Sequence, residues 1–358
     1  MNARGARLAS GGAAAALFAA LAACRGGPAD SATAPASAAA AESEQSGAGS
    51  PLALALAPLP DSRHGHRAEV LGDGRVLVFG GFERGNTSNS RGAHASWLFE
   101  PVHGPEHGDG HGHGDGHGHE RGAWRRTGDL AVPLAFHASA VHDGVVYAVG
   151  EDRLQRFDAA TETWHVVLHD ERLPSAHAGA AVVDGVLFAV GFESVAVDLA
   201  TLAVTSLPDP PDHHAQDHFS YVAELGGRLH LLGGFAGADF QPRTRHVVFD
   251  GERWSHAAPI PFDDAAKFGV GVVHGERFVL IGMNGNAVYV AASDVWEPLP
   301  PPPWDGFRCM AAAFVHGPHL HVLGGLGADR MHGHDVLDLA ERAWIAVDGT
   351  PLAAATAR

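Results

Sequence analysis

A bulky β-run followed by glycine recurs six times along this 358-residue chain. A tight-turn dipeptide precedes each run, and a stretch of small residues precedes most of those turns. Together these observations predict an all-β protein, six units of four antiparallel strands closed into a propeller, which leaves only short exposed sheet edges.

The bulky runs are Val76–Phe79, Val145–Val149, Val186–Val190, Leu229–Leu232, Phe278–Ile281 and Leu320–Leu323. The glycines after them (80→150→191→233→282→324) are 70, 41, 42, 49 and 42 residues apart. The outlying 70 contains an insertion; without it the period is in the forties throughout. Asp73-Gly74, Asp143-Gly144, Asp184-Gly185 and Gly226-Gly227 are tight hairpin chemistry, and Gly275-Glu276 and Gly317-Pro318 stand in the same place. The small runs, such as Ala138–Val141, Ala178–Val182, Gly269–Val272 and Ala311–Phe314, are assigned to the innermost strands, because strands converging on an axis leave little room for side chains. A third strand ends near Asp158, Asp198, Asp250 or Asp338, and Trp124, Trp164, Trp254, Trp296 or Trp344 opens the fourth; Val204 replaces tryptophan in the third unit. A pair such as Val132-Pro133 or Leu299-Pro300 leads to the next unit.

The Gly-Gly after a bulky strand, the aspartate–turn–tryptophan hairpin and the proline linker before an Arg or His resemble kelch repeats, in six copies over about residues 60–348. Single glycines in units two, three and five depart from that pattern. The resemblance implies a six-bladed kelch-type β-propeller over residues 51–350, like the central domain of galactose oxidase. Either Leu52–Leu56 or Trp344–Val347 completes the last blade; the spacing of Val336–Trp344 favours the C-terminal run. Residues 351–358 are left as a tail.

The first 23 residues read as an export signal. Arg4 and Arg7 precede a short apolar stretch, Leu8–Ala20, too short to span a bilayer comfortably. Leu21-Ala-Ala-Cys24 resembles the lipobox of bacterial lipoproteins, which implies lipidation at Cys24 and anchorage in the cell envelope, at the outer membrane where there are two. Residues 24–50 are then a tether too poor in large apolar groups to fold. With Cys24 lipidated, Cys309 is a lone thiol, buried or reactive; the two could otherwise pair.

The insertion contains HGDGHGHGDGHGH, residues 107–119, within a His/Gly-rich loop over 103–120 of the first blade. His103, His107, His111, His113, His117 and His119 are candidate ligands for zinc, nickel or copper, none of them a required cofactor. Ordering a glycine chain costs entropy, so affinity should be modest. A low-complexity insertion without a role is the alternative reading.

Strand order defines two faces. Turns between strands one and two, and three and four, share the turn face; loops between strands two and three, and between blades, share the linker face. His66, His137, His177 and His218 fall near the start of innermost strands, with Lys267 and Arg308 corresponding to them, and His213, His214 and Asp217 nearby. They form the candidate ligand-binding funnel. A structural role is the competing reading, because histidine at this point is common in the kelch repeat.

The net charge of −17 argues against nucleic acid as a partner. Galactose oxidase holds copper with tyrosines and histidines and cross-links a cysteine to a tyrosine. Here Tyr147 and Tyr289 fall away from the mouth, and Tyr221 reaches Cys309 only across the channel. Sialic-acid mutarotases are also propellers of this kind. The expectation is a monomeric, tethered, non-catalytic module for a protein or glycan ligand. The alternative is a sugar-acting enzyme, mutarotase-, epimerase- or oxidase-like, with its site in the funnel.

Overall fold

A computed structural model of the chain describes residues 58–83, 92–100, 123–213, 219–236, 241–262, 269–282, 285–304, 308–327 and 333–345. Six antiparallel sheets of four strands follow one another in chain order. From inner to outer strand, the first blade is Arg67–Val70, Val76–Phe79, Ser96–Glu100 and Ala123–Arg126. The second is Ala138–His142, Val145–Gly150, Arg153–Asp158 and Thr163–His169; the third is Gly179–Val183, Val186–Val190, Ser194–Asp198 and Val204–Ser206. The fourth is Tyr221–Leu225, Arg228–Leu232, His246–Phe249 and Trp254–His256. The fifth is Val270–His274, Arg277–Ile281, Asn286–Val290 and Val295–Pro298; the sixth is Ala312–His316, His319–Leu323, His334–Asp338 and Ala343–Ile345. Each innermost strand touches the innermost strands on either side, so the six form a closed ring.

The hairpins behave as their residues require. Asp143-Gly144, Asp184-Gly185 and Gly226-Gly227 have both central residues at positive φ, as the type I′ turn demands. Gly275 and Gly317 alone carry positive φ in their turns, the II′ pattern. The outer hairpins have one chemistry in four blades. The carboxylates of Asp158, Asp198, Asp250 and Asp338 each accept from the two backbone N–H groups two and three residues on, at 2.8–3.0 Å. This is the aspartate turn.

The tryptophans fasten neighbouring blades. Trp164 Nε1 donates to Ser96 Oγ, Trp254 Nε1 to the Pro208 carbonyl and Trp296 Nε1 to the Ala258 carbonyl, in each case on the preceding blade or the linker that leaves it.

Among the described residues the ring closes by packing, with no strand exchanged between its two ends. The sixth blade's outer strand is Ala343–Ile345, the C-terminal alternative; Leu52–Leu56 lies outside the described residues. Leu59 is buried among Ala68, Val76, Val78 and Phe99 of the first blade and Ala312, Phe314 and Leu323 of the sixth. Beside it, Arg63 is fully buried, pairs with Asp61 and donates to the Gly80 carbonyl at 2.9 Å, while Gly325 N–H donates to the Arg63 carbonyl at 3.0 Å.

Candidate functional site: the hub channel

A channel of about 370 Å³ runs through the hub. Its wall follows the small-residue expectation: Gly179, Val270 and Ala312 occupy one level of the innermost strands, with Ala138 buried behind the wall at that level, and Ala140, Ala181 and Ala223 occupy another. Two chain positions break that pattern in the first blade, where Arg67 stands level with Ala138 and Glu69 level with Ala140. Tyr221 does the same in the fourth, level with Gly179. All three line the channel, with Ser139 and Glu224.

Arg67 is held by backbone: Nε donates to the His137 carbonyl at 2.7 Å and Nη2 to that of Ala178 at 3.5 Å. Glu69 Oε1 accepts from Ser139 Oγ at 2.5 Å. Burial pushes the Glu69 carboxyl up from its ordinary range, against the opposing pull of the Ser139 hydrogen bond and the Arg67 charge. Burial lowers Arg67, offset by Glu69 and Tyr221, and raises the Tyr221 phenol, offset by Arg67. The guanidinium, carboxyl and phenol therefore share one electrostatic environment. The tyrosine's space is provided by glycine: a Cβ on Gly271 would stand 2.7 Å from the Tyr221 ring, and one on Gly269 3.1 Å from its hydroxyl.

A chain of four backbone hydrogen bonds, running across five of the blades, builds the linker-face end of the channel. Gly65 N–H donates to the Met310 carbonyl, Phe136 N–H to Gly65, His177 N–H to Phe136 and Phe219 N–H to His177, at 2.7–3.1 Å. All five residues have left-handed backbone, φ 52–63°. For the four that are not glycine this conformation costs on the order of 1 kcal/mol each, and such strain clusters at functional sites. Their side chains make an apolar collar. Phe136 and His177 rings lie 5.5 Å apart, His177 and Phe219 4.5 Å, and Phe136 and Phe219 5.4 Å. The Phe136 ring covers Gly65, where a Cβ would stand 2.8 Å from it.

The predicted histidines divide. His177 belongs to the collar. His66 and His137 are one place further along, buried between blades, with both ring nitrogens of each unpartnered among the described residues. They fill the space left by the repeat's glycines: a Cβ on Gly324 would stand 2.8 Å from His66 Cε1, and one on Gly80 2.7 Å from His137 Cε1. Burial, and secondarily nearby Arg63 for His66 and Arg67 for His137, drives both rings well below the ordinary histidine value. His213 is half-buried, 3.8 Å from Asp209. Arg308 is a buried clasp, donating to the carbonyls of Gly324 and Val322, pairing with Asp335 at 2.5 Å and lying 4.7 Å from the Trp304 ring centre. His214, Asp217, His218 and Lys267 lie outside the described residues. So do Cys24 and the insertion carrying His103, His107, His111, His113, His117 and His119; its flanking strands, Ser96–Glu100 and Ala123–Arg126, are antiparallel neighbours.

Cys309 is buried in a cluster with Phe82, Phe136, Phe235 and Met310. Tyr289 is buried with its hydroxyl donating to Asp294, and Tyr147 packs against the core between the second and third blades. Among the described residues no group of three or more His, Cys, Asp or Glu is placed to hold a metal.

No protein-family model matches the chain, and no curated protein does. Among solved structures, one described as the structure of YjhT superposes with a TM-score of 0.61 at 12% identity, over 79% of this chain and 97% of that one. At that identity the likeness is one of fold. It supports the propeller and leaves the chemistry to the residues of this chain.

Proposed function

We propose that the protein is an exported, lipid-anchored kelch-type propeller that acts by binding, with a protein or glycan as its ligand and the hub channel as part of the recognition surface. The observation that carries this reading is how the hub's polar groups are held. Arg67 is fixed by carbonyls of two other blades and Glu69 by Ser139, on strands locked in a closed ring. Groups fixed before the ligand arrives lose little entropy on binding, which is the economy of a recognition site. The histidine-rich insertion is an accessory cation loop in this account, for zinc, nickel or copper. Equal zinc uptake by the whole chain and a chain lacking residues 103–119, in equilibrium dialysis, would remove that part. Palmitate labelling that survives Cys24→Ala would remove the anchor.

The second reading, a sugar-acting enzyme, is favoured by one observation: the Glu69 carboxyl, which burial pushes up, lines the same channel as the Tyr221 hydroxyl. One experiment separates the two. Reducing sugars are presented to the wild-type protein and to Glu69→Gln, with binding followed by calorimetry and anomer exchange by NMR. The binding reading expects no exchange above the uncatalysed rate in either protein. Exchange catalysed by the wild type and abolished by Glu69→Gln would establish the enzyme.

A further inference from the structure

We propose that the hub channel takes a small zwitterion, a molecule such as an α-amino acid with an ammonium and a carboxylate close together, held between Arg67 and Glu69. The inference rests only on reading the channel as a binding site, and it gives the channel a small-molecule ligand of its own, distinct from the protein or glycan proposed for the surface around it.

Both residues lie on Arg67–Val70, two places apart, so their side chains leave the same side of the strand at origins about 6.7 Å apart. Each is tied to neutral partners, Arg67 to carbonyls and Glu69 to a hydroxyl. Among the described residues no ion pair joins the two, although each feels the other's charge. The wall thus offers one positive and one negative group, coupled but separated, at levels of the hub where the other blades carry mostly small apolar residues.

Charge balance selects the ligand. A simple carboxylate would satisfy Arg67 and bring a like charge towards Glu69. A simple amine would do the reverse. A neutral sugar would leave both charges without a counter-charge in a desolvated wall, where an unpaired charge is costly. A zwitterion answers both at once and leaves the site's net charge unchanged. The rest of the lining suits such a molecule. Tyr221 and Ser139 offer hydroxyls, and Phe136 and Met310 of the collar offer apolar surface for a side chain. About 370 Å³ lies at the small end of the range of ligand sites and excludes a folded partner.

The test is isothermal titration of the full-length protein with glycine, L-alanine, L-leucine and L-glutamine, alongside propionate, propylamine and glucose. At least one amino acid is expected to bind at least about tenfold more tightly than propionate or propylamine. Arg67→Gln and Glu69→Gln should each weaken it by at least about tenfold, with circular dichroism unchanged. The comparison among wild-type ligands stands even if a variant fails to fold. Amino-acid binding equal to that of propionate or propylamine, or indifferent to both substitutions, would overturn the proposal. Arg67-dependent binding of glucose or propionate without any amino acid would refute the zwitterion and keep the channel as a site. Binding of none of the seven would refute both.

Discussion

Two neighbouring regions of the hub bury polar residues in opposite ways. On the channel wall, Arg67 and Glu69 are each given hydrogen-bonding partners, and each retains an electrostatic neighbour of opposite sign. In the seam adjoining it, His64, His66 and His137 have all six ring nitrogens buried with no partner among the described residues. Their rings pack like aromatic hydrocarbons, His64 5.4 Å from Phe82 and His137 5.2 Å from Phe79. A neutral imidazole can be used as filling; a guanidinium cannot, and must be solvated by the protein. The seam therefore holds the disc together at neutral pH, and the wall is where a ligand's charges would be felt.

Acid should break this contrast most forcefully. Burial brings His64, His230 and His246 down to about 4, and His66, His137 and His321 well below their ordinary value. The unfolded chain titrates near 6.5 and so binds more protons below that pH. Stability is complete above pH 6.5 and is lost as pH falls towards 4. A single histidine lowered to about 4 withdraws up to about 3 kcal/mol by then. Glu69 acts in the opposite sense but is one group. Fluorescence against pH should show unfolding before pH 4; an unchanged urea midpoint at pH 4 would refute the neutral seam.

Moving a charge to an unprepared place sharpens the comparison. Ala138→Arg puts the first blade's arginine at the same level of the second, at a fully buried position, and should cost more than about 3 kcal/mol in urea unfolding. Arg67→Ala restores the small-residue pattern and loses charged hydrogen bonds, about 1.5–3 kcal/mol. The reverse order of these two costs would mean that the wall is not built for its arginine. The smallest effect is expected at His137→Leu, an apolar replacement of similar size. It should stay within about 1.5 kcal/mol of wild type at pH 7 and move the acid transition to lower pH.

The same contrast explains what could be read beforehand. The blades are legible because each rests on local chemistry that recurs from blade to blade: paired left-handed turn residues in three, aspartates that cap their own hairpins in four, and tryptophans that reach the preceding blade. The C-terminal closing strand followed from the same spacing. The histidines drew attention as functional groups, yet His66 and His137 are the counterparts of the glycines of the preceding blades, two halves of one packing motif. Arg308 stood in a mouth position by register but is a buried clasp, because its partners Gly324, Val322 and Asp335 are distant in sequence. Arg67, Glu69 and Tyr221 carry a readable signal, large polar residues in two rows whose other members are alanine, glycine and valine apart from Phe314. The signal emerges only once the six innermost strands are aligned on the register of their hairpins. Apart from His177 the collar has no sequence signal, since left-handed Phe136, His177, Phe219 and Met310 share a conformation rather than one side-chain type.

The account turns on Glu69 standing desolvated in the hub beside Arg67 and Ser139. Its carboxyl titration, followed by NMR on glutamate-labelled protein and assigned by loss of the signal in Glu69→Gln, addresses that directly. A midpoint above the ordinary 4.5 of a glutamate is expected. A midpoint at or below 4.5 would place the carboxyl in water or in a tight ion pair, and the channel described here would not be the site.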